Sequence, residues 1–535
     1  MILAIDQGTT GSTALVFNDE GRICGRGYAE FRQHFPKPGW VEHDAEEIWE
    51  TSWGVAARAL AGAGISGPDL DAIGITNQRE TVVAWDRETG KPLHHALVWQ
   101  DRRGAARCDE LKAVGLEGLV RERTGLVLDP YFSATKIEWL RQNVEGADRA
   151  VFGTIDSWLV HRMCGEHLTD LTNASRTMLF DTGRLQWDPE LCEVFGTDPA
   201  SLPEARPSAG MFGTTSGFGG EVPVAGIAGD QQAALFGQMC HEPGMAKNTY
   251  GTGSFVLLNA GDEKPDPGEG LLGTIAWGIG NGAGSGAENK EVSVEYALEA
   301  SVFVTGSAVQ WLRDGLGIIK DASETEALAA SLDSNDGVYF VPALTGLGSP
   351  WWDPYARGTI VGLTRGTGRA HFARAALEAI AYQTVDAVRA QESASGEKLE
   401  ALRADGGAVA NKWLMQFQAD LLGVPVEIPE ISETTAFGAA CLAGIGSGSW
   451  TVEQVRGMWK PTARYEPKMN RDEAESLLND WHRALESTLT CKSGGVRPAL
   501  PVRTRRPTEK MTDGSAPSGV TPGRPLGRPA NSCPN

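Results

Sequence analysis

Asp6-Gln7-Gly8-Thr9-Thr10-Gly11-Ser12 and Tyr250-Gly251-Thr252-Gly253-Ser254 are near repeats of one turn, each set between two extended runs. Glycines let the backbone bend with its amides converging, and the threonine and serine hydroxyls add donors, so such a turn holds an anion without needing a lysine. One short glycine motif is more often an ordinary hairpin. Two of them, far apart in the chain, predict two related domains gripping one polyphosphate, and so an ATP-dependent enzyme on a duplicated fold.

The flanking sequence fits that reading. Ile2 to Asp6 and Ser12 to Phe17 read as strands, with Asn18-Asp19-Glu20-Gly21 as turn chemistry before a third extended segment from Arg22 to Phe31. Asp44 is placed to cap a helix through Ile48, Trp49 and Trp53. Ala72 to Ile75 reads as a short buried strand that delivers Thr76-Asn77-Gln78-Arg79-Glu80 to its end, and Val224 to Ala228 as another that presents Gly229-Asp230-Gln231-Gln232 before a helix from Ala233 to Met239. The second half repeats the logic: Val256 to Asn259 after its turn, a strand Val338 to Pro342, and helices at Ala308 to Leu316, His371 to Gln391 and Lys412 to Leu421. Thr434 to Ala440 opens a small-residue helix suited to close packing between domains. The expected division is 1–245, 246–489 and a tail from 490 to 535. The glycine-rich stretch Gly278 to Gly286 reads as a flexible loop insertion.

Length and composition bound the rest. A chain of 535 residues exceeds what one core usually supports, and an apolar fraction of 41% supplies two. The formal charge is −21, and residues 491–535 are basic, with eight Lys or Arg against Glu509 and Asp513, so the acidity belongs to the body. That body repels nucleic acid and anionic membrane. No signal peptide or membrane-length apolar run is visible, and eight scattered cysteines fit reduced thiols, so a cytoplasmic location is expected. The tail, rich in Pro, Gly, Ser and Arg, is expected to be disordered and dispensable.

Chemistry is concentrated at strand ends. Asp6 closes the first strand and Asp230 another, and carboxylates beside a phosphate site are natural Mg²⁺ holders. An isolated Asp is more often a cap or turn former; what favours function here is that both sit by glycine turns. Phosphoryl transfer needs an acceptor hydroxyl whose proton is taken as the bond forms, and Asp230 is the candidate base. Arg79 and Glu80, an adjacent opposite-charge pair, could read a polyol's hydroxyls, one donating and one accepting, with Trp99 or Phe255 against the carbon face. A surface ion pair is the plainer account of Arg79 and Glu80. Leu402 to Asn411, a strand broken by Gly406-Gly407, would let a purine slide along bare backbone.

Taken together, the chain over roughly residues 1 to 485 resembles the glycerol kinases of the FGGY carbohydrate kinase family, built on the actin-like ATPase fold. The resemblance rests on Gly74 to Thr81, Tyr131 to Asn143, Gly226 to Gly237, Lys247 to Ser254 and Thr345 to Gly358, all standing in order, with Gly358 to Glu378 similar to the family's second signature. It implies an α/β fold of duplicated ribonuclease H-like domains, mixed sheets flanked by helices with a cleft between. It implies that Thr9, Thr10 and Gly11 bind nucleotide phosphates and that Thr252, Gly306, Gln310, Gly407 and Asn411 complete the ATP site. Glycerol would meet Arg79, Glu80, Trp99, Tyr131, Asp230, Gln231 and Phe255, and Asp6 with Asp230 would sit around Mg²⁺. The product would be sn-glycerol 3-phosphate, from a homo-oligomer, dimer or tetramer. Pentulose kinases of the family differ at the Asn-Gln-Arg-Glu loop, which favours glycerol.

Three departures stand out. Thr13 occupies a place where relatives carry an arginine. The region Gly217-Phe218-Gly219-Gly220-Glu221 is shorter than the loop that binds fructose 1,6-bisphosphate in regulated bacterial relatives and lacks Lys or Arg, so that inhibition is not expected. No His falls in Gly210 to Val224, which speaks against phosphohistidine control there. The competing readings are a kinase for another small polyol or ketose, and an actin-like or chaperone-type ATPase.

Overall fold

The computed structural model describes residues 1–280 and 292–489, all within one compact unit. The predicted tail 490–535, Cys491 and Cys533, and positions 281–286 of the predicted insertion lie outside the described residues.

Thirteen strands form the main sheet: β1 (Ile2–Gln7), β2 (Gly11–Phe17), β3 (Ile23–Glu30), β4 (Ala72–Asn77), β5 (Ala209–Thr215), β6 (Val222–Gly229), β7 (Ala246–Tyr250), β8 (Ser254–Gly261), β9 (Leu272–Gly280), β10 (Val292–Val302), β11 (Leu402–Gly406), β12 (Val426–Pro429) and β13 (Pro461–Tyr465). Their order is β13-β12-β11-β7-β8-β10-β9-β5-β6-β4-β1-β2-β3. In the first half β3, β2 and β1 are antiparallel and β1, β4 and β6 parallel; in the second, β10, β8 and β7 are antiparallel and β7, β11 and β12 parallel. The duplication predicted from two short turns is therefore present in strand order, and the two turns occupy equivalent corners, β1–β2 and β7–β8. The halves are not separate sheets: a single register pair, Ala209 with Ile279, joins β5 to β9.

Local chemistry accounts for the helices that matter here. In α1 (Ala45–Ala63) the Asp44 carboxylate accepts from the amides of Glu46 and Glu47, and Gly64 closes the helix in the left-handed conformation. Its buried face, Ile48, Ser52, Val55, Ala56 and Ala59, has helical spacing. Two further helices, α2 (Asp230–Gly237) and α3 (Gly306–Gln310), start directly at predicted site residues. Two readings need correction. Ala308 to Leu316 is not one α-helix, because α3 passes into a π-helical turn over Trp311–Gly315. Gly278 is not in a loop, since β9 runs to Gly280 and pairs with β10.

Three large cores pack around the sheet, one in each half and one between them. The middle core includes α6 (Thr434–Ser447), preceded in the chain by α4 (Arg369–Ser395) and α5 (Lys412–Leu422). Although α6 belongs to the second half, it packs on α2, β6, β4 and β1 of the first. Its small residues permit that approach: a Cβ on Gly438 would lie 1.8 Å from the Ala233 carbonyl oxygen, and one on Gly226 would lie 2.2 Å from the Ala443 nitrogen.

Candidate active site

The ends of three parallel strands coincide. Gln7 is in register with Asn77, and Asn77 with Gly229, so β1, β4 and β6 finish at one level. Beyond these ends lie, in turn, the Gly8–Gly11 turn, the Gln78-Arg79-Glu80 loop and Asp230. This is where open α/β sheets place ligands. In the second half Tyr250 is in register with Gly406, so the Gly251–Gly253 turn and Gly407 emerge side by side. Gly406 has φ of 90°, and a Cβ there would sit 2.3 Å from the Tyr250 carbonyl oxygen, so only glycine fits.

The first turn is closed by the Gly8 amide donating to the Gly11 carbonyl at 2.9 Å. Gln33 holds it from one side, donating to the Thr9 carbonyl at 2.9 Å, and Trp99 from another, its Nε1 donating to Oγ1 of Thr9 at 3.0 Å. Thr10 is left exposed. The second turn is tied to the start of α3, with the amides of Thr305 and Ser307 donating to the Thr252 carbonyl and that of Gly306 to the Gly251 carbonyl. Thr252, Gly306 and Gly407 thus gather around one corner, with exposed Gln310 at the far end of α3. Asn411 caps α5 by accepting from the Leu414 amide and donates to Oγ1 of Thr325 at 3.2 Å.

The predicted polyol residues also converge. Arg79 is buried, and its Nε lies 3.1 Å from Oδ1 of Asp230. Its Nη2 reaches the Tyr131 hydroxyl at 3.4 Å, its guanidinium carbon lies 5.8 Å from the Phe255 ring centre, and Trp99 meets Tyr131 edge-on at 5.6 Å. The Tyr131 loop is pinned by Lys136, whose buried ammonium donates to the carbonyls of Pro130, Tyr131 and Phe132. Glu80 sits at φ of 62°, a conformation non-glycine residues rarely adopt.

Arg79 and Glu80 do pair, but loosely, at 3.9 Å, and both are buried where the plainer account expected a surface ion pair. Each also has a closer, hydrogen-bonded partner that the sequence did not reveal. Glu299 on β10 accepts from Arg79, Nη1 to Oε2 at 2.5 Å, and Arg176 donates to Glu80 Oε1 at 2.7 Å and to Glu299 Oε1 at 3.0 Å. The two guanidiniums overcome the cost of burying Glu299 and hold its carboxyl down at about 2. Lys247, also unforeseen, is fully buried and donates to Oε1 of Gln231 at 2.5 Å and to Oγ1 of Thr249. A lysine accepts nothing, so Gln231 turns its carbonyl toward Lys247, and its side-chain amide N–H groups have no acceptor among the described residues. Burial pulls the Lys247 ammonium down to about 8.

Asp230 starts α2, and its Oδ1 accepts from the Gln231 amide at 2.7 Å and faces Arg79. Among the described residues no donor reaches its Oδ2. Burial, and then the nearby charges of Asp230 and Glu433, push Asp6 up to about 7. Carboxylates that repel one another are a setting that a divalent cation relieves, so the oxygens of Asp6 and Asp230 would suit Mg²⁺. Thr13 stands opposite Asp6 in the β1–β2 ladder.

The chain belongs to the FGGY family of carbohydrate kinases, whose N-terminal domain matches residues 1–237 and whose C-terminal domain matches residues 246–447. It is 54% identical to glycerol kinase 2 of Thermotoga maritima over 91% of this chain and 98% of that one. It is likewise 54% identical to the glycerol kinase of Deinococcus radiodurans, over 90% and 96%. Among solved structures, Plasmodium falciparum glycerol kinase with ADP superposes with a TM-score of 0.84 at 36% identity, covering 91% of this chain and 98% of that one. A gluconate kinase from Lactobacillus acidophilus, at 20% identity and TM-score 0.81, shares the fold.

Proposed function

We propose that this chain transfers the γ-phosphoryl group of ATP to glycerol, giving sn-glycerol 3-phosphate and ADP, with Asp230 as general base. The observation that carries the reading is the meeting of the Asn77-Gln78-Arg79-Glu80 loop with Asp230 at the level ends of β4 and β6, beside a turn able to cradle phosphate. Arg79 and Gln231 donate to substrate oxygens and Glu80 accepts, while Trp99, Tyr131 and Phe255 cover the carbon side. Oδ2 of Asp230 takes the proton of the attacking hydroxyl as the bond to phosphorus forms.

Thr9, Thr10, Gly11 and Thr252 hold the phosphates from both halves, and Gly306, Gln310, Gly407 and Asn411 hold the nucleoside, in lobes divided near residue 245. Asp6 and Asp230 would hold Mg²⁺, which supplies charge neutralisation on the phosphates. No described helix is long and apolar enough to cross a membrane. A cytoplasmic location and a dimer or tetramer belong to the same reading.

The test is ADP release by the purified protein with glycerol, xylulose, dihydroxyacetone or no acceptor. Glycerol-dependent turnover is expected. Preference for a ketose, or acceptor-independent hydrolysis with filament formation, sinks the reading.

A further inference from the structure

Glu299 lies on β10, in the second half, yet its carboxylate is fully buried against two guanidinium groups of the first. Both terminal nitrogens of Arg79 point at it: Nη1 reaches Oε2 at 2.5 Å and Nη2 reaches Oε1 at 3.3 Å. Such an end-on fork fixes the position and the roll of a guanidinium together. Asp230 approaches Arg79 most closely at Nε, an ion-pair contact at 3.1 Å to Oδ1, and its Oδ2 has no donor among the described residues. Oγ of Ser301 steadies Oε1 of Glu299 at 3.3 Å, and Nη1 of Arg79 has a second acceptor in Oε1 of Gln232 at 3.2 Å.

Without a carboxylate at 299, the next anion within reach of the Arg79 fork is Asp230. Bidentate pairing there would cover the oxygen that must accept a proton. It would also turn the guanidinium away from Tyr131. We propose that Glu299 is a positioning residue of the polyol site: by occupying the end-on fork of Arg79 it keeps that fork off Asp230, so that one carboxylate oxygen stays open to the incoming hydroxyl. The second half of the chain thereby contributes to the acceptor site as well as to the nucleotide site. The inference rests on the reading that Arg79 serves the acceptor.

The experiment is steady-state kinetics of the full chain for wild type, Glu299→Gln, Arg79→Ala and the double variant, with KM measured separately for glycerol and ATP. Glu299→Gln keeps the shape and loses the charge. It is expected to raise the glycerol KM about tenfold or more, as for loss of a charge-assisted hydrogen bond, and to lower kcat, with the ATP KM within about twofold of wild type. Because Glu299 acts through Arg79, the double variant should match Arg79→Ala in glycerol kcat/KM within about twofold. An unchanged glycerol KM in Glu299→Gln, or losses that multiply in the double variant, overturns the inference. An unchanged glycerol KM in Arg79→Ala instead removes the underlying reading of Arg79. Should Glu299→Gln not fold, Glu299→Asp, which keeps the charge and withdraws it by one methylene, is expected to raise the glycerol KM, and a wild-type value overturns the proposal.

Discussion

The indole Nε1 of Trp99 donates to Oγ1 of Thr9 across 3.0 Å, joining the aromatic wall proposed for the acceptor site to the turn proposed to cradle phosphate. On the proposed reading one side chain therefore touches both substrates' sites. Trp99→Phe keeps the ring against Tyr131 and deletes the bond, whose net worth is about 0.5–1.5 kcal/mol. The expected outcome in steady-state kinetics is an ATP KM raised about two- to tenfold with the glycerol KM little changed. The reverse pattern would mean that Trp99 matters only as wall.

Arg79→Lys keeps the positive charge but removes the planar fork that engages Glu299, Gln232 and Tyr131 together. Glycerol kcat/KM should fall about a hundredfold or more, and nucleotide affinity, read by calorimetry, should stay within a few-fold. Equal loss for both ligands would make Arg79 a structural residue.

Much of this arrangement was legible in the sequence, for reasons that are local. The two glycine-threonine turns, the Asp44 cap and the short apolar strands before Arg79 and Asp230 each carry their signal within a few residues. Glu299, Arg176 and Lys247 do not. Glu299 is one of two glutamates in the strand Val292–Val302, and its partners Arg79 and Arg176 are 220 and 123 positions away. Only the docking of β9 and β10 against the first half brings them together, and no periodicity encodes that. Gly278 misled because glycines in a run read as loop, whereas β9 uses Gly278 where a Cβ would lie 2.7 Å from Leu171.

Asp6→Asn removes one of the carboxylates assigned to Mg²⁺. Activity titrated against free Mg²⁺ should show a half-saturating concentration raised about tenfold or more, with the glycerol KM unaffected. An unshifted Mg²⁺ curve would remove Asp6 from that role.

Asp156 is buried behind the sheet, takes hydroxyl bonds from Thr154 and Thr169, and is pushed up to about 7 by burial and then by Asp170. Its folded value exceeds the unfolded one, so its contribution to stability is fully present below the unfolded carboxylate range and is lost as pH rises through about 7. Asp156→Asn should therefore gain in Tm relative to wild type between about pH 5.5 and about pH 8.5. A Tm difference that stays constant across that range would contradict the assignment.

The most direct measurement is the turnover of Asp230→Ala with glycerol and MgATP, alongside its nucleotide affinity. If Oδ2 of Asp230 accepts the glycerol proton, kcat falls by about 10² to 10⁴ while ATP binds nearly as in wild type. A wild-type kcat would contradict the account at its centre.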